Sequence, residues 1–203
     1  GNKKLRLWEY LRRKQARRRK KGGRKSQRVR IPDRISIHER PLIIDKRTEA
    51  GHWEGDSIEG RAHLSGLHTE YERVFSLTRI SRIKRINADE TIKAQFEIFG
   101  SLPEWLRKST TLDNGKENVR HILLGKILGI DTYFADPYAA YQRGGNENAN
   151  LWIRYYFPKR TDFGKVSEEE IKDVEWELNN RPRKRLGYKT PMEALREYSK
   201  RLH

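Results

Sequence analysis

The chain predicts an α/β fold: a mixed five-stranded sheet with flanking helices, preceded by a basic N-terminal extension. Three observations carry that prediction. Three β-leaning runs follow one another between residues 52 and 80, before any helical periodicity begins in the part of the chain beyond residue 50. From residue 88 onward, helix-like and strand-like stretches alternate, giving the order β-β-β-α-β-α-β-α. The charge is segregated: residues 1 to 30 hold fifteen Lys or Arg and one acid, or +14 of the formal +17, whereas the other 173 residues hold thirty basic and twenty-seven acidic side chains.

A chain of 203 residues can bury one substantial core, and 34% hydrophobic against 36% charged residues leaves little apolar material for a second. We therefore expect residues 1–50 to be a basic DNA-binding arm or linker and residues 51–203 to be the globular domain. The basic block would attract a polyanion and release counterions on binding it, which favours DNA or RNA over an anionic membrane, and no long apolar segment supports insertion. With no cysteine, disulfides, thiol nucleophiles and thiolate metal sites are excluded. No secretion signal is visible. The expected location is the cytoplasm, in association with the nucleoid.

Taken in order, residues 5 to 21 read as a basic helix with a small apolar patch at Leu7, Trp8 and Leu11, ending at Gly22-Gly23. Arg12, Arg13, Lys14, Arg17, Arg18, Arg19 and Lys20 on it, with Arg28, Arg30 and Arg34 beyond, are candidate phosphate contacts that position a duplex without reading its sequence. Residues 24 to 50 read as an extended arm with turns at Pro32-Asp33 and Arg40-Pro41. The strands are expected at 52–58, 62–69 and 74–80, with Tyr71-Glu72-Arg73 as the turn between the last two. Ile92, Phe96 and Phe99 mark a helix over 88–99, and Leu112 closes a short fourth strand. Val119, Ile122, Leu123 and Ile127 give a second helix ending before Gly129, followed by a fifth strand from Ile130 to Phe134.

A third helix follows Gly144-Gly145. Its Ala149, Trp152, Ile153 and Tyr156 share the sheet-facing side, and Glu147, Asn150, Leu151 and Arg154 form a neighbouring stripe. Pro158 stops it. Ser167 with Glu170 predicts a capping box for the next helix, and Thr190-Pro191 with Glu193 predicts the start of the last. Between them, Arg181-Pro182-Arg183-Lys184-Arg185 is a basic turn that its proline should hold to one path, a better phosphate-binding candidate than an equally charged floppy run.

Three acids stand at positions from which they could converge. Asp56 lies in the first strand, Asp113 ends the fourth beside Asn114-Gly115, and Glu147 opens the third helix with thirty-three residues between it and Asp113. Hard carboxylate oxygens suit magnesium, and two such ions about 4 Å apart can activate an attacking oxygen and stabilise a leaving one. Taken singly, each acid is better read as one of the twenty-eight on a charged surface. Glu117 is expected to support the loop after Asp113, and Asp136 to cap a local turn. Asn146, Asn148 and Asn150 are read as orienting water, touching DNA backbone or capping a helix. The scattered histidines lack the paired spacing of a zinc site.

The context of the three acids changes their weight. His52-Trp53-Glu54-Gly55-Asp56, Asp113-Asn114-Gly115-Lys116-Glu117, Tyr133-Phe134-Ala135-Asp136-Pro137-Tyr138, Gln142-Arg143-Gly144 and Asn146-Glu147-Asn148-Ala149-Asn150 recur in order, and the resemblance continues through Arg154–Asp162 and Leu178–Pro191. From about residue 30 to the end, the chain resembles the transposase of bacterial insertion sequence thirty and its relatives, within the Asp-Asp-Glu transposase and retroviral-integrase superfamily. The resemblance implies a ribonuclease-H-like fold, with Asp56, Asp113 and Glu147 as catalytic metal ligands. Arg143, Asn150, Arg154, Arg181, Arg183, Lys184 and Arg185 join the expected DNA contacts.

It further implies two magnesium ions in the active complex, replaceable by manganese, and an enzyme that nicks transposon ends and joins their 3′-hydroxyls to target DNA. The expected partners are double-stranded transposon ends and target DNA, held by a homodimer or a higher nucleoprotein assembly. Reading of the ends is expected of an upstream helix-turn-helix segment outside these 203 residues. An inactive DNA-binding or architectural relative, and a metal-dependent nuclease that cannot join DNA, are the alternatives.

Overall fold

A computed structural model describes residues 31 to 201. The basic helix expected over 5–21, and Arg12 through Arg30 among the candidate phosphate contacts, lie outside the described residues. The elements in order are α1 (Leu42–Lys46), β1 (His52–Glu59), β2 (Gly66–Glu72), β3 (Thr78–Ile83), α2 (Ala88–Gly100), β4 (Ser109–Leu112), α3 (Ile122–Leu128), β5 (Asp131–Phe134), α4 (Gly144–Tyr156), α5 (Glu168–Asn179) and α6 (Pro191–Ser199).

The strands form one mixed sheet in the order β3-β2-β1-β4-β5. β1 to β3 are antiparallel neighbours, while β4 joins β1, and β5 joins β4, in parallel. Parallel neighbours need a crossover, and α2 and α3 provide the two that lead into β4 and β5. This is the five-stranded α/β sheet expected from the sequence.

Alternation along β1 decides which face each residue serves. Trp53 points to one side, where its indole N–H donates to the Leu106 carbonyl at 2.7 Å and its ring meets Phe99 edge-on. Ile92, Phe99 and Leu124 fill that layer, and Leu195 and Tyr198 of α6 pack against its margin. Ile58 points the other way, into a second layer with Leu67, Ile80, Ile153, Phe157, Phe163, Ile171 and Leu178, under α4 and α5. With both faces covered, β2 is buried throughout, Glu70 and Glu72 included.

Two strands differ from expectation. β2 and β3 begin about four residues later than predicted, because Arg61–His63 form a turn of 3-10 helix and leave Leu64 exposed. Glu72, read as a turn residue, is the last residue of β2. Its carboxylate accepts from Val74 and Phe75 N–H at 2.8 and 2.6 Å and so shapes the turn that follows. Burial lifts its carboxyl to about 7. The capping boxes at Ser167/Glu170 and Thr190/Glu193 form as predicted.

Residues 31–50, expected as an extended arm, carry the short helix α1 and lie along the sheet. Ile31 packs with Leu112 and Phe134, the Phe134 N–H donates to the Ile35 carbonyl at 2.9 Å, and Ile37, Ile44 and Ala50 are buried. No helix among the described residues is long and apolar enough to cross a membrane.

Candidate active site

The parallel pairing of β1 with β4 is what brings distant acids together. His52, Trp53 and Glu54 pair with Ser109, Thr110 and Thr111, so Asp56 and Asp113 emerge beside each other where the two strands end their shared run. Both are partly buried. Burial raises the Asp56 carboxyl, Arg143 opposes the rise and Asp113 adds to it.

Arg143 spans the pair. Its Nη1 lies 3.5 Å from Asp56 Oδ1 and its Nη2 3.6 Å from Asp113 Oδ2, while Nη1 donates to the Gly55 carbonyl at 2.7 Å. Two carboxylates in one partly buried place repel unless a cation compensates them, and the guanidinium supplies that cation. Arg143, expected to face a phosphate, is thus turned onto the acids.

Helix α4 positions the rest. Asn146 is fully buried: its N–H donates to Glu54 Oε2 at 3.0 Å, and its side-chain amide donates to the carbonyls of Glu54 and Thr69. One turn on, Asn150 Nδ2 donates to Asp56 Oδ2 at 2.9 Å, and Asn150 Oδ1 accepts from the Thr69 hydroxyl at 2.9 Å. Asn150 therefore orients Asp56. Asp113 is held similarly, its Oδ1 accepting from Gly115 N–H and Asn118 Nδ2, both at 2.9 Å. Glu117 is half-buried, its carboxyl raised by burial and then by the negative charges of Asp113 and Asp56.

Glu147 stands exposed in the first turn of α4, three residues before Asn150 and hence on the same side of the helix. Among the described residues, no three His, Cys, Asp or Glu side chains are grouped as ligands for one ion. The two aspartates fit a hard divalent cation by their chemistry and by the positive charge already lying between them.

The remaining predicted contacts fall elsewhere. Arg154 Nη2 donates to the Glu59 carbonyl at the end of β1. Arg181 lies over the Trp152 ring, 4.3 Å from its centre, and near Glu177. Arg183 donates to the Leu178 carbonyl, and Arg185 to the Arg73 and Val74 carbonyls and the Ser76 hydroxyl; Lys184 is exposed. Asp136 accepts from Gln142 and pairs with His38. The buried Glu54–Arg73 ion pair beneath α4 escaped the sequence reading. Glu54 is two residues before Asp56 and so on the same face of β1, which was the available signal.

A mixed sheet with parallel β1 and β4, and acids gathered at their ends, defines an integrase-core fold. The catalytic core domain of BIV integrase matches it with a TM-score of 0.59 at 19% identity, over 76% of this chain and 99% of that one. A chain of the simian T-cell lymphotropic virus intasome, solved in complex with PP2A regulatory subunit B56 gamma, matches with a TM-score of 0.56 at 18% identity, over 71% and 54%. These likenesses establish the fold.

Sequence relatives narrow the class. The transposase InsI for insertion sequence element IS30A of Escherichia coli (strain K12) is 41% identical over 85% of this chain and 45% of its own length. The transposase for IS4351 of Bacteroides fragilis is 38% identical over 94% and 58%, and that for IS1086 of Cupriavidus metallidurans 37% over 83% and 50%. Over the aligned part, the chain is similar to insertion-sequence transposases of the IS30 kind. It spans about half the length of the curated relatives it matches. No family model matches the sequence.

Proposed function

We propose that this chain is the catalytic part of a DNA transposase that nicks transposon ends and joins the freed 3′-hydroxyls to target DNA. The observation that carries the reading is the pairing of Asp56 with Asp113 at adjacent parallel strand ends, bridged by Arg143 and braced by α4, in a chain related to named transposases.

Asp56, Asp113 and Glu147 would hold magnesium, or manganese in its place. When bound, such ions withdraw charge from the phosphodiester and from the oxygen that departs. The chain's own groups set the geometry. Asn150 and Thr69 fix Asp56 from one side, and Gly115 N–H with Asn118 fixes Asp113 from the other, so both carboxylates are presented in set orientations before any substrate arrives. Glu147, one helical turn from Asn150, follows wherever α4 goes. In the reaction a water or DNA 3′-hydroxyl oxygen forms a new bond to phosphorus as the bond to the leaving 3′ oxygen breaks, with no bond from protein to DNA.

The DNA substrates, the assembly of two or more protomers on paired ends and a place on DNA in the cytoplasm belong to the same proposal. Labelled transposon ends with a supercoiled target in magnesium or manganese test it, scoring nicking and joining separately. We expect Asp113→Asn and Glu147→Gln each to lose both reactions by about three orders of magnitude or more while retaining DNA binding. Joining at native rates in both variants would overturn the assignment.

A further inference from the structure

We propose that a cationic cavity beside the first turn of α4, separate from the aspartate pair, is a subsite for a backbone phosphate of DNA; the choice of DNA rests on the function proposed above. The cavity encloses about 430 Å³, and among the described residues its wall carries Arg47, Arg183, Lys184 and Arg185 but no carboxylate. That volume is within the range of sites that enclose a small organic group. It can therefore receive a phosphodiester with part of its sugar.

Three features make this a built site rather than a charged surface. First, the cations are held. The turn that bears three of them is closed by Arg183 N–H to the Lys189 carbonyl at 2.9 Å and Tyr188 N–H to the Arg183 carbonyl at 3.0 Å. Arg185 is fastened to the Arg73 and Val74 carbonyls and the Ser76 hydroxyl. Second, one guanidinium donor of that turn is left unpaired. Arg183 Nε is buried with no hydrogen-bond partner among the described residues, and burial lowers the Arg183 pKa, as an entering anion would reverse.

Third, glycine brings the helix against the cavity wall, because only a residue without a side chain lets the Tyr71 ring lie so close. A side chain at Gly145 would run into the Tyr71 ring, and both residues line the cavity. The first turn of α4 therefore touches the cavity on one side, and the same helix touches Asp56 on the other through Asn150. A phosphate seated among these cations would be held a fixed distance from the acids. It would also press on the helix that carries Glu147.

The test uses the full chain and a labelled duplex, with affinity followed across a salt series. Arg47→Glu combined with Lys184→Glu leaves the turn's backbone bonds in place. We expect it to weaken binding about tenfold or more and to reduce the slope of log affinity against log salt by about one, for the phosphate no longer neutralised. An unchanged slope would overturn the proposal. Lys184→Gln, expected to cost about one in slope, gives the same decision if charge reversal unfolds the chain. The Gly145 amide resonance should shift with the duplex and not with inorganic phosphate at matched ionic strength; the reverse would make this a free-phosphate site and refute the DNA subsite. Asp113→Asn in the same assays separates the two claims. If it abolishes joining while the Arg47/Lys184 slope stays native, the subsite alone falls; if it joins normally, the reading of the active site falls.

Discussion

At the scale of single residues, the site turns on Arg143. A guanidinium 3.5 and 3.6 Å from Asp56 and Asp113 stabilises two carboxylates that would otherwise repel, and it lies where a metal cation would be drawn. Binding of a divalent ion between these acids then has to displace a tethered positive charge. Arg143→Gln removes the charge and keeps a donor for the Gly55 carbonyl, so it should tighten manganese binding to the DNA-free protein by about tenfold, equivalent to about 1.4 kcal/mol. Electron paramagnetic resonance of free manganese measures this directly. Unchanged or weaker binding would mean that the arginine does not compete with the ion. The aspartates were singled out because a recurring phrase marked each, with a strand-to-turn position at Asp113 and a place in the first strand at Asp56. The bridge was not, because a basic residue before Gly144-Gly145 in a DNA-binding chain suits phosphate equally well.

At the scale of elements, helix ends were legible where chemistry is local. Ser167 with Glu170 and Thr190 with Glu193 satisfy backbone N–H groups a turn away, and each closes its box as the spacing predicts. What was illegible depended on tertiary partners. Glu72 looks like a turn residue by its charge, yet it ends a buried strand because backbone N–H groups of Gly51, Val74 and Phe75 converge on it. Asn146 was grouped with Asn148 and Asn150 as orienting water, touching DNA backbone or capping a helix, yet it is the buried bolt between α4 and the sheet. Likewise, the segment ahead of β1 read as an arm because its anchors lie in sequence far away. One of them is His121, whose ring joins Thr132 of β5 to the Pro32 carbonyl, at 2.6 and 2.8 Å. Burial lowers its pKa below the ordinary 6.5. The folded state thus prefers the neutral ring, so its contribution to stability is full above the unfolded value and is lost as pH falls through 6.5 toward the folded value. We expect amide exchange of residues 31–37 to quicken as pH falls across that window, after correction for intrinsic rates, and the effect to vanish in His121→Gln. Equal pH response in both proteins would remove His121 from the role.

For the whole molecule, charge is divided more sharply than fold. Residues 1–30 carry +14 and the remaining 173 residues +3, so the function proposed above would assign non-specific attraction to DNA and the chemistry at Asp56 and Asp113 to different parts of one chain. The body brings its acids together by strand topology and keeps its own cations in fixed places, as at Arg143 and along the 183–189 turn. Counterion release scales with the number of phosphates neutralised, at about 0.9 for each one on a duplex. Deleting residues 1–30 should therefore make log affinity several units less steep in log salt, because most of the net positive charge goes with them. The shortened chain should still unfold in one cooperative step, since Ile31, Ile37 and the Ile35–Phe134 bond retain the start of the body on the sheet. Anisotropy of a labelled duplex through a salt series measures the first outcome, and urea unfolding followed by tryptophan fluorescence measures the second. A slope as steep as that of the full chain would assign the dominant phosphate contacts to the body, and the extension would lose its place as the element that draws DNA in.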